Sequence, residues 1–202
     1  MSKSFRIIDT GVREGRANIA FDAALIEERQ AQRVPDTIRF MRFPPTALIG
    51  RHQDLSREID RGYCEKQGVG TVRRITGGGA IYLDERQVGW EIVLSRKRLP
   101  LPTLADYTAR ICEAVADGLS SAFGIDARFR PRNDIEVDGK KISGTGGYFD
   151  GDTLICSVTS PARKGDMVRR NTAVRYSKKP NVSRVTASAA RAATSAKARN
   201  GK

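Results

Sequence analysis

Arg73-Arg74-Ile75-Thr76-Gly77-Gly78-Gly79-Ala80-Ile81-Tyr82 is the stretch on which the reading of this chain turns. Two arginines lead into a hydroxyl residue and three consecutive glycines, and a β-type run from Ala80 to Leu83 follows at once. Successive glycines carry a high backbone entropy cost. A chain keeps them where the backbone must turn tightly, or where something must lie against it with no Cβ in the way. Backbone N–H groups in such a loop can cradle an anion, with arginines adding charge at its mouth. Taken alone, the segment fits a glycine-rich hairpin turn with two solvated arginines equally well.

A second glycine-rich segment, Ser143-Gly144-Thr145-Gly146-Gly147, follows Lys140-Lys141. A Walker-type phosphate loop needs its lysine after the glycines, at the start of a helix. Here the lysines come first, and Gly77-Gly78-Gly79 runs into a strand, which also excludes a Rossmann fingerprint. Backbone amides, an arginine and a lysine can still hold a nucleotide and stabilise the charge that develops when a carboxylate attacks an α-phosphate. Lys141 alone also reads as a surface lysine, and Asn133-Asp134 as a plain turn. Because Mg²⁺ needs only one or two carboxylates beside phosphate oxygens, Asp134 is a candidate magnesium ligand. His52 is the only histidine, which argues against a Ser-His-Asp triad, and it reads as a surface or rim residue. Cys64, Cys112 and Cys156 are far apart and odd in number, which suits a reducing compartment and suggests no disulfide framework or zinc site.

Around these segments the chain reads as alternating short strands and helices. Phe5 to Gly11 and Thr37 to Phe43 have strand patterns, and Thr46 to Ile49 is a further short strand. Asn18 to Gln32 reads as a helix with an apolar stripe of Ala20, Phe21, Ala24 and Leu25. Leu55 to Gln67 reads as one helix. Ala80 to Leu83 and Val88 to Leu94 read as a hairpin around Asp84–Gln87. Thr103 to Phe123 is the clearest helix, N-capped by Thr103 and closed by Gly124. Ile135–Val137 and Lys141–Ser143 flank Asp138-Gly139, a strong hairpin signal. Asp150-Gly151-Asp152 then turns into Thr153-Leu154-Ile155.

The formal net charge of +13 invites a nucleic-acid reading, but its distribution argues against one. Residues 157–202 hold 12 of the 36 Lys+Arg and one of the 23 acidic residues, so residues 1–156 carry a net of only +2. No Leu, Ile, Phe or Trp occurs after Ile155. Such a segment cannot offset its ordering entropy and is expected to be a disordered basic tail. The expected division is thus a catalytic domain over 1–156 and a low-complexity tail over 157–202. The N-terminus has no apolar signal core and no run is long enough to span a membrane. A cytoplasmic protein with no membrane or specific nucleic-acid partner is expected.

Taken in order, the segments resemble the lipoate–protein ligase A family, within the biotin/lipoate ligase fold group. Thr10-Gly11 through Asn18-Ile19-Ala20-Phe21-Asp22 resembles the family's opening strand and Asn-x-Ala-x-Asp helix. PTALIGRHQ, ending at Gln53, is similar to its Ile-Gly-Arg-x-Gln segment. RRITGGGAIYLD, from Arg73, resembles its Arg-Arg-x-Ser/Thr-Gly-Gly-Gly-Ala motif, and PRNDIEVDGKKISGTGG, from Pro131, its Arg-Asn-Asp turn and Lys-Ile/Val-Ser-Gly motif. The resemblance implies an α+β (α/β) fold with a mixed, mostly antiparallel sheet flanked by helices. It implies activation of lipoate by ATP to lipoyl-adenylate, with Mg²⁺, followed by transfer to a lysine of a carrier: a 2-oxoacid dehydrogenase E2 lipoyl domain, a glycine-cleavage H protein or a similar lipoate-binding protein. It makes Lys141 the catalytic lysine. It makes Arg74, Thr76, Gly77, Gly78, Gly79, Ala80, Ile81, Tyr82, Asn133, Asp134, Ser143 and Gly144 binding residues for ATP and lipoyl-adenylate, with apolar residues near Ile49 and Ala80 lining an acyl tunnel. An octanoyl- or lipoyltransferase of the same fold, working through a cysteine, is the alternative, and a truncated inactive paralogue that only binds acyl ligand or carrier is another.

The chain departs from the family at two places. Leu83 stands where many relatives have a histidine. After about residue 155 the expected apolar strand and helices give way to the basic segment, as a shift of reading frame near Cys156 would produce.

Overall fold

The computed structural model describes residues 4–161. Its elements in chain order are β1 (Arg6–Val12), α1 (Gly15–Gln30), β2 (Thr37–Arg42), β3 (Thr46–Ile49), α2 (Leu55–Glu58), α3 (Arg61–Lys66), β4 (Gly70–Arg73), β5 (Ile81–Leu83), β6 (Gln87–Ser95), α4 (Leu104–Phe123), β7 (Ala127–Arg130), β8 (Asp134–Val137), β9 (Lys140–Asp150) and β10 (Thr153–Pro161). A seven-stranded sheet runs β1-β2-β6-β10-β9-β8-β7, and a three-stranded sheet runs β4-β3-β5. The β1–β2 and β3–β4 pairs are parallel and the others antiparallel, so the fold is α+β with a mostly antiparallel sheet, as expected.

Alternation along β10 sorts the two layers that cover the large sheet. Leu154 and Cys156 pack with Tyr107 and Ile111 of α4, while Ile155 packs with Leu25 and Ile26 of α1. The helix α4 forms where its caps predict. Thr103 and Asp106 make a reciprocal capping box, and Gly124 ends the helix at φ 61°.

Four local expectations are corrected. The helix expected over 55–67 is two short helices. Ile59 takes an extended conformation that sends its side chain into the core, and Asp60 restarts the chain by accepting from the Tyr63 N–H at 2.9 Å. The Asp84–Gln87 turn does not make a hairpin, since β5 joins β3 in the small sheet while β6 lies between β2 and β10 in the large one. The buried stripe of α1 is Gly15, Asn18, Asp22, Leu25 and Ile26, whereas Ala20 and Ala24 face solvent. Arg39 of β2 and Glu91 of β6 demand polar partners there and override the apolar pattern. The boundary expected at 156 falls inside β10, which pairs with β6 as far as Pro161 and with β9 as far as Thr159. Val158, beyond that boundary, is fully buried. The rest of the expected tail lies outside the described residues.

No helix of the described residues is long and apolar enough to cross a membrane.

Candidate functional site

The lysine, the aspartate and both glycine segments meet on one face of β9. Asp138 and Gly139, at φ 51° and 69°, form the tight turn between β8 and β9 that the sequence predicts. The register then slips. Glu136 pairs with Lys141 but Ile135 with Ser143, so two β9 residues oppose one β8 step. This bulge changes the alternation of side chains. Ile142 points to the α4 side, with Cys112 and Ala116, and so does Thr145, whose hydroxyl lies 3.2 Å from the Cys112 Sγ. Lys141 therefore shares the opposite face with Gly144, Gly146 and Tyr148.

The missing side chains on that face have clear uses. A Cβ on Gly144 would stand 3.2 Å from the Lys141 Nζ, so the lysine lies across the bare backbone. A Cβ on Gly146 would stand 3.4 Å from the Thr76 Oγ1 and 3.7 Å from the Gly77 carbonyl oxygen. The glycine loop thus rests on β9 one step beyond the lysine. The second glycine segment is not a loop at all but the middle of this long strand.

Lys141 is half-buried, with its Nζ 2.5 Å from Asp134 Oδ1, and Arg130 Nη2 lies 2.6 Å from Asp134 Oδ2. Arg130 also reaches Glu136 at 3.3 Å. This arrangement does not fit the magnesium expectation for Asp134. Both carboxylate oxygens already hold cations. A dication placed beside two cations would meet repulsion from both.

Other expected site residues have duties to the backbone. The Asn133 amide donates to the Thr145 carbonyl at 2.6 Å, and the Ser143 hydroxyl donates to the Thr159 carbonyl at 2.6 Å. Ala80 and Tyr82 pack with Ala47, Ile49 and Ile59, while Ile81 and Leu83 pack with Met41, Phe43 and Leu48. Leu83 is thus a core residue of the small sheet.

The two arginines expected at the loop mouth are clamps on carbonyl groups. Arg74 Nη2 donates to the Gly77 and Gly79 carbonyls at 2.8 and 2.9 Å. Because a trans peptide points its C=O and N–H in opposite directions, these bonds turn the N–H groups of Gly78 and Ala80 away from Arg74. Arg73 Nη1 lies within 3.0 Å of the carbonyls of Gly50, Arg51 and Gln53. The two loops touch where a Cβ on Gly50 would stand 1.9 Å from the Gly78 carbonyl oxygen, so only glycine fits there. The Gly78 φ of 102° is a second requirement for glycine.

All three cysteines are buried. Burial pushes the Cys156 thiol up to about 12, and raises Cys64 and Cys112 as well. None is poised as a thiolate. His52 is exposed, as expected of a surface residue. A shallow depression lined by Arg96, Lys97, Pro100, Tyr107 and Asp152 lies at the other end of β10, where Thr153 pairs with Ser95. It is remote from Lys141, which sits near the Gly144–Thr159 pair.

Sequence reasoning placed no role on Arg51, Tyr148 or Arg130. Arg51 and Tyr148 come together only through the fold, with the guanidinium 5.7 Å from the ring centroid. The sequence signal for Arg51 is its place in the Ile-Gly-Arg-x-Gln segment, directly after Gly50, the residue that must lack a Cβ.

Comparison with known proteins gives the family. The octanoyltransferase LipM of Moorella thermoacetica is 36% identical over 121 residues, covering 58% of this chain and 44% of LipM. A probable lipoate-protein ligase A of Mycoplasma pneumoniae is 30% identical over 142 residues, covering 70% of this chain and 41% of the relative. The chain therefore spans less than half the length of these relatives. A crystal structure of a lipoate-protein ligase A bound with ATP shares the fold, with a TM-score of 0.72 at 23% identity over 93% of this chain and 83% of the other. The sequence model of the Lipoyl protein ligase A/B catalytic domain matches residues 14–199, a range that runs through the segment where the sequence suggests a departure, and the chain belongs to that family.

Proposed function

We propose that this chain is the catalytic unit of an ATP-dependent lipoate–protein ligase. The observation that carries the reading is the placement of the Lys141 ammonium on the glycine face of β9, beside a loop whose Gly78 and Ala80 N–H groups point away from Arg74, with no exposed thiol among the described residues. A lipoate carboxylate oxygen attacks the α-phosphorus of ATP. The bond to the pyrophosphate oxygen breaks, and lipoyl-adenylate and pyrophosphate result. Lys141 gives up Asp134 for the acyl carbonyl and α-phosphate oxygens and stabilises the charge that develops on them. In the second step the amine of a carrier lysine attacks the acyl carbon, AMP leaves with the bonding electrons, and the nitrogen loses a proton. The glycine backbone lets the adenylate approach β9 without steric conflict. Leu83 and its apolar neighbours of the small sheet supply no hydrogen bond of the histidine type. The partner is a lipoyl carrier domain of the E2 or H-protein class, and the three free cysteines suit a reducing cytoplasm.

The identity to LipM supports a second reading, an octanoyltransferase. Such an enzyme needs a cysteine nucleophile, and burial of all three described thiols disfavours it. One assay separates the two. Full-length protein with ATP, lipoate and a lipoyl domain is expected to give a lipoylated domain, seen as a mass increase, together with pyrophosphate. Transfer from an octanoyl carrier without ATP would establish the second reading instead, and folded protein active in neither assay would identify an inactive paralogue. Peptide mass spectrometry across residues 157–202 tests the proposed shift of reading frame near Cys156.

A further inference from the structure

The ligase reading makes Lys141 the cation that meets the acyl carbonyl and the α-phosphate. ATP brings two further phosphates, and these leave as pyrophosphate, so they need a cationic contact that is open to solvent. Arg73 and Arg74 are directed at carbonyls of the loops. Arg51 is arranged differently. Its backbone is pinned on both sides, the N–H to the Thr76 carbonyl at 3.0 Å and the C=O to Arg73 Nη1 at 3.0 Å. Its side chain is exposed and leans over the Tyr148 ring at 5.7 Å, a distance at which the ring face attracts a cation. Tyr148 shares the glycine face of β9 with Gly146, on which Thr76 and Gly77 rest. A guanidinium with a fixed base, a propped stem and an open fork is pre-organised for a phosphate.

We propose that Arg51 is the contact for the outer phosphates of the nucleotide, held in position by Arg73 and Tyr148. This rests on the ligase reading for its ligand. The position of the arginine is independent of that reading.

Calorimetric titration of the full chain tests it. In Arg51→Gln, ATP affinity is expected to fall by roughly tenfold or more, the scale of a lost charge-assisted hydrogen bond. AMP, which lacks the outer phosphates, is expected to bind wild type and variant alike. Arg51→Lys is expected to recover only part of the loss, because an ammonium has no planar fork. Tyr148→Ala should weaken ATP binding and Tyr148→Phe should not. Since Arg51 is exposed, the melting temperature of Arg51→Gln should match wild type. Equal ATP affinity in Arg51→Gln and wild type would overturn the proposal, as would an equal loss of AMP binding. If wild type binds no ATP, the ligase reading fails by itself. Pyrophosphate titration then decides on Arg51, with binding lost in Arg51→Gln upholding the contact, and unchanged or absent binding overturning it.

Discussion

Two of the acid–base clusters among the described residues are built from nearly the same chemistry and differ in their access to water. In one, Arg39 Nη1 holds Asp22 at 2.7 Å and Glu91 at 3.0 Å, and exposures are 0% for Arg39, 4% for Asp22 and 0% for Glu91. In the other, Arg130 and Lys141 share Asp134 beside the glycine face of β9, and all three remain partly accessible. The buried cluster also receives the Asn18 side chain and the Phe21 ring, 4.3 Å from the Arg39 guanidinium. It fastens α1 to two strands and cannot be rearranged without exposing a charge. The Asp134 cluster can exchange partners because water can replace whatever leaves. Accessibility to solvent, more than the identity of the charges, separates a fixed tie from one that can be exchanged.

Arg39→Met should sharpen the contrast most. It leaves two carboxylates without their cation in a dry site, and a loss of about 3–5 kcal/mol is expected from urea unfolding. A loss below 1 kcal/mol would mean that the cluster is not the tie described. Lys141→Ala should lower adenylate formation by at least roughly 10²-fold, as for removal of a stabilising donor at a reacting centre. Its unfolding midpoint should stay near that of wild type, and retained ligation would remove Lys141 from the catalytic role.

The third test uses pH. Burial, then the negative charge of Glu91, raises the Asp22 carboxyl well above its usual range despite the opposing pull of Arg39, and burial raises Glu91 as well. The folded state therefore holds protons that the unfolded chain releases. That contribution is fully present below the unfolded carboxylate value of about 4 and is lost as pH rises through the raised value. Asp22→Asn has no such proton to lose. The stability difference, variant minus wild type, is expected to grow with pH in a urea series. A difference that shrinks with pH would contradict this sign. The smallest effect is expected from Arg130→Gln, whose half-exposed pairs contribute below about 1 kcal/mol to folding. A larger loss would blur the distinction between the two clusters.

Much of the frame was legible from local signals. Thr103, Gly124 and Asp138-Gly139 each announce a backbone geometry through their own chemistry, and each adopts it. The failures are non-local. Ile59 breaks a helix because the core claims it. The strand β5 leaves β6 because β3 offers it a partner. Asp22 and Asn18 are buried because Arg39 and Glu91 arrive from strands far along the chain. At the site, the motifs named Lys141, Asp134 and the glycines as one set, and the fold brings them to one strand. It could not say whether an arginine would meet ligand or backbone, since that depends on where a long side chain finds its acceptors. Arg73 and Arg74 therefore read as ligand-facing, while the structure turns Arg73 Nη1 and Arg74 Nη2 to loop carbonyls.

The bulge opposite Ile135 and Glu136 carries a consequence for how this hairpin can change over evolutionary time. Strand residues alternate sides, so in a regular strand two positions three apart, Lys141 and Gly144, would face opposite ways. The extra residue is what lets the lysine and the glycine of the Lys-Ile-Ser-Gly motif share one face. Deleting Ser143 would leave them two apart, the ordinary spacing for one face of a strand, and would keep Ile142 on the side of Cys112 and Ala116. The hairpin can therefore shed its bulge without surrendering the charge.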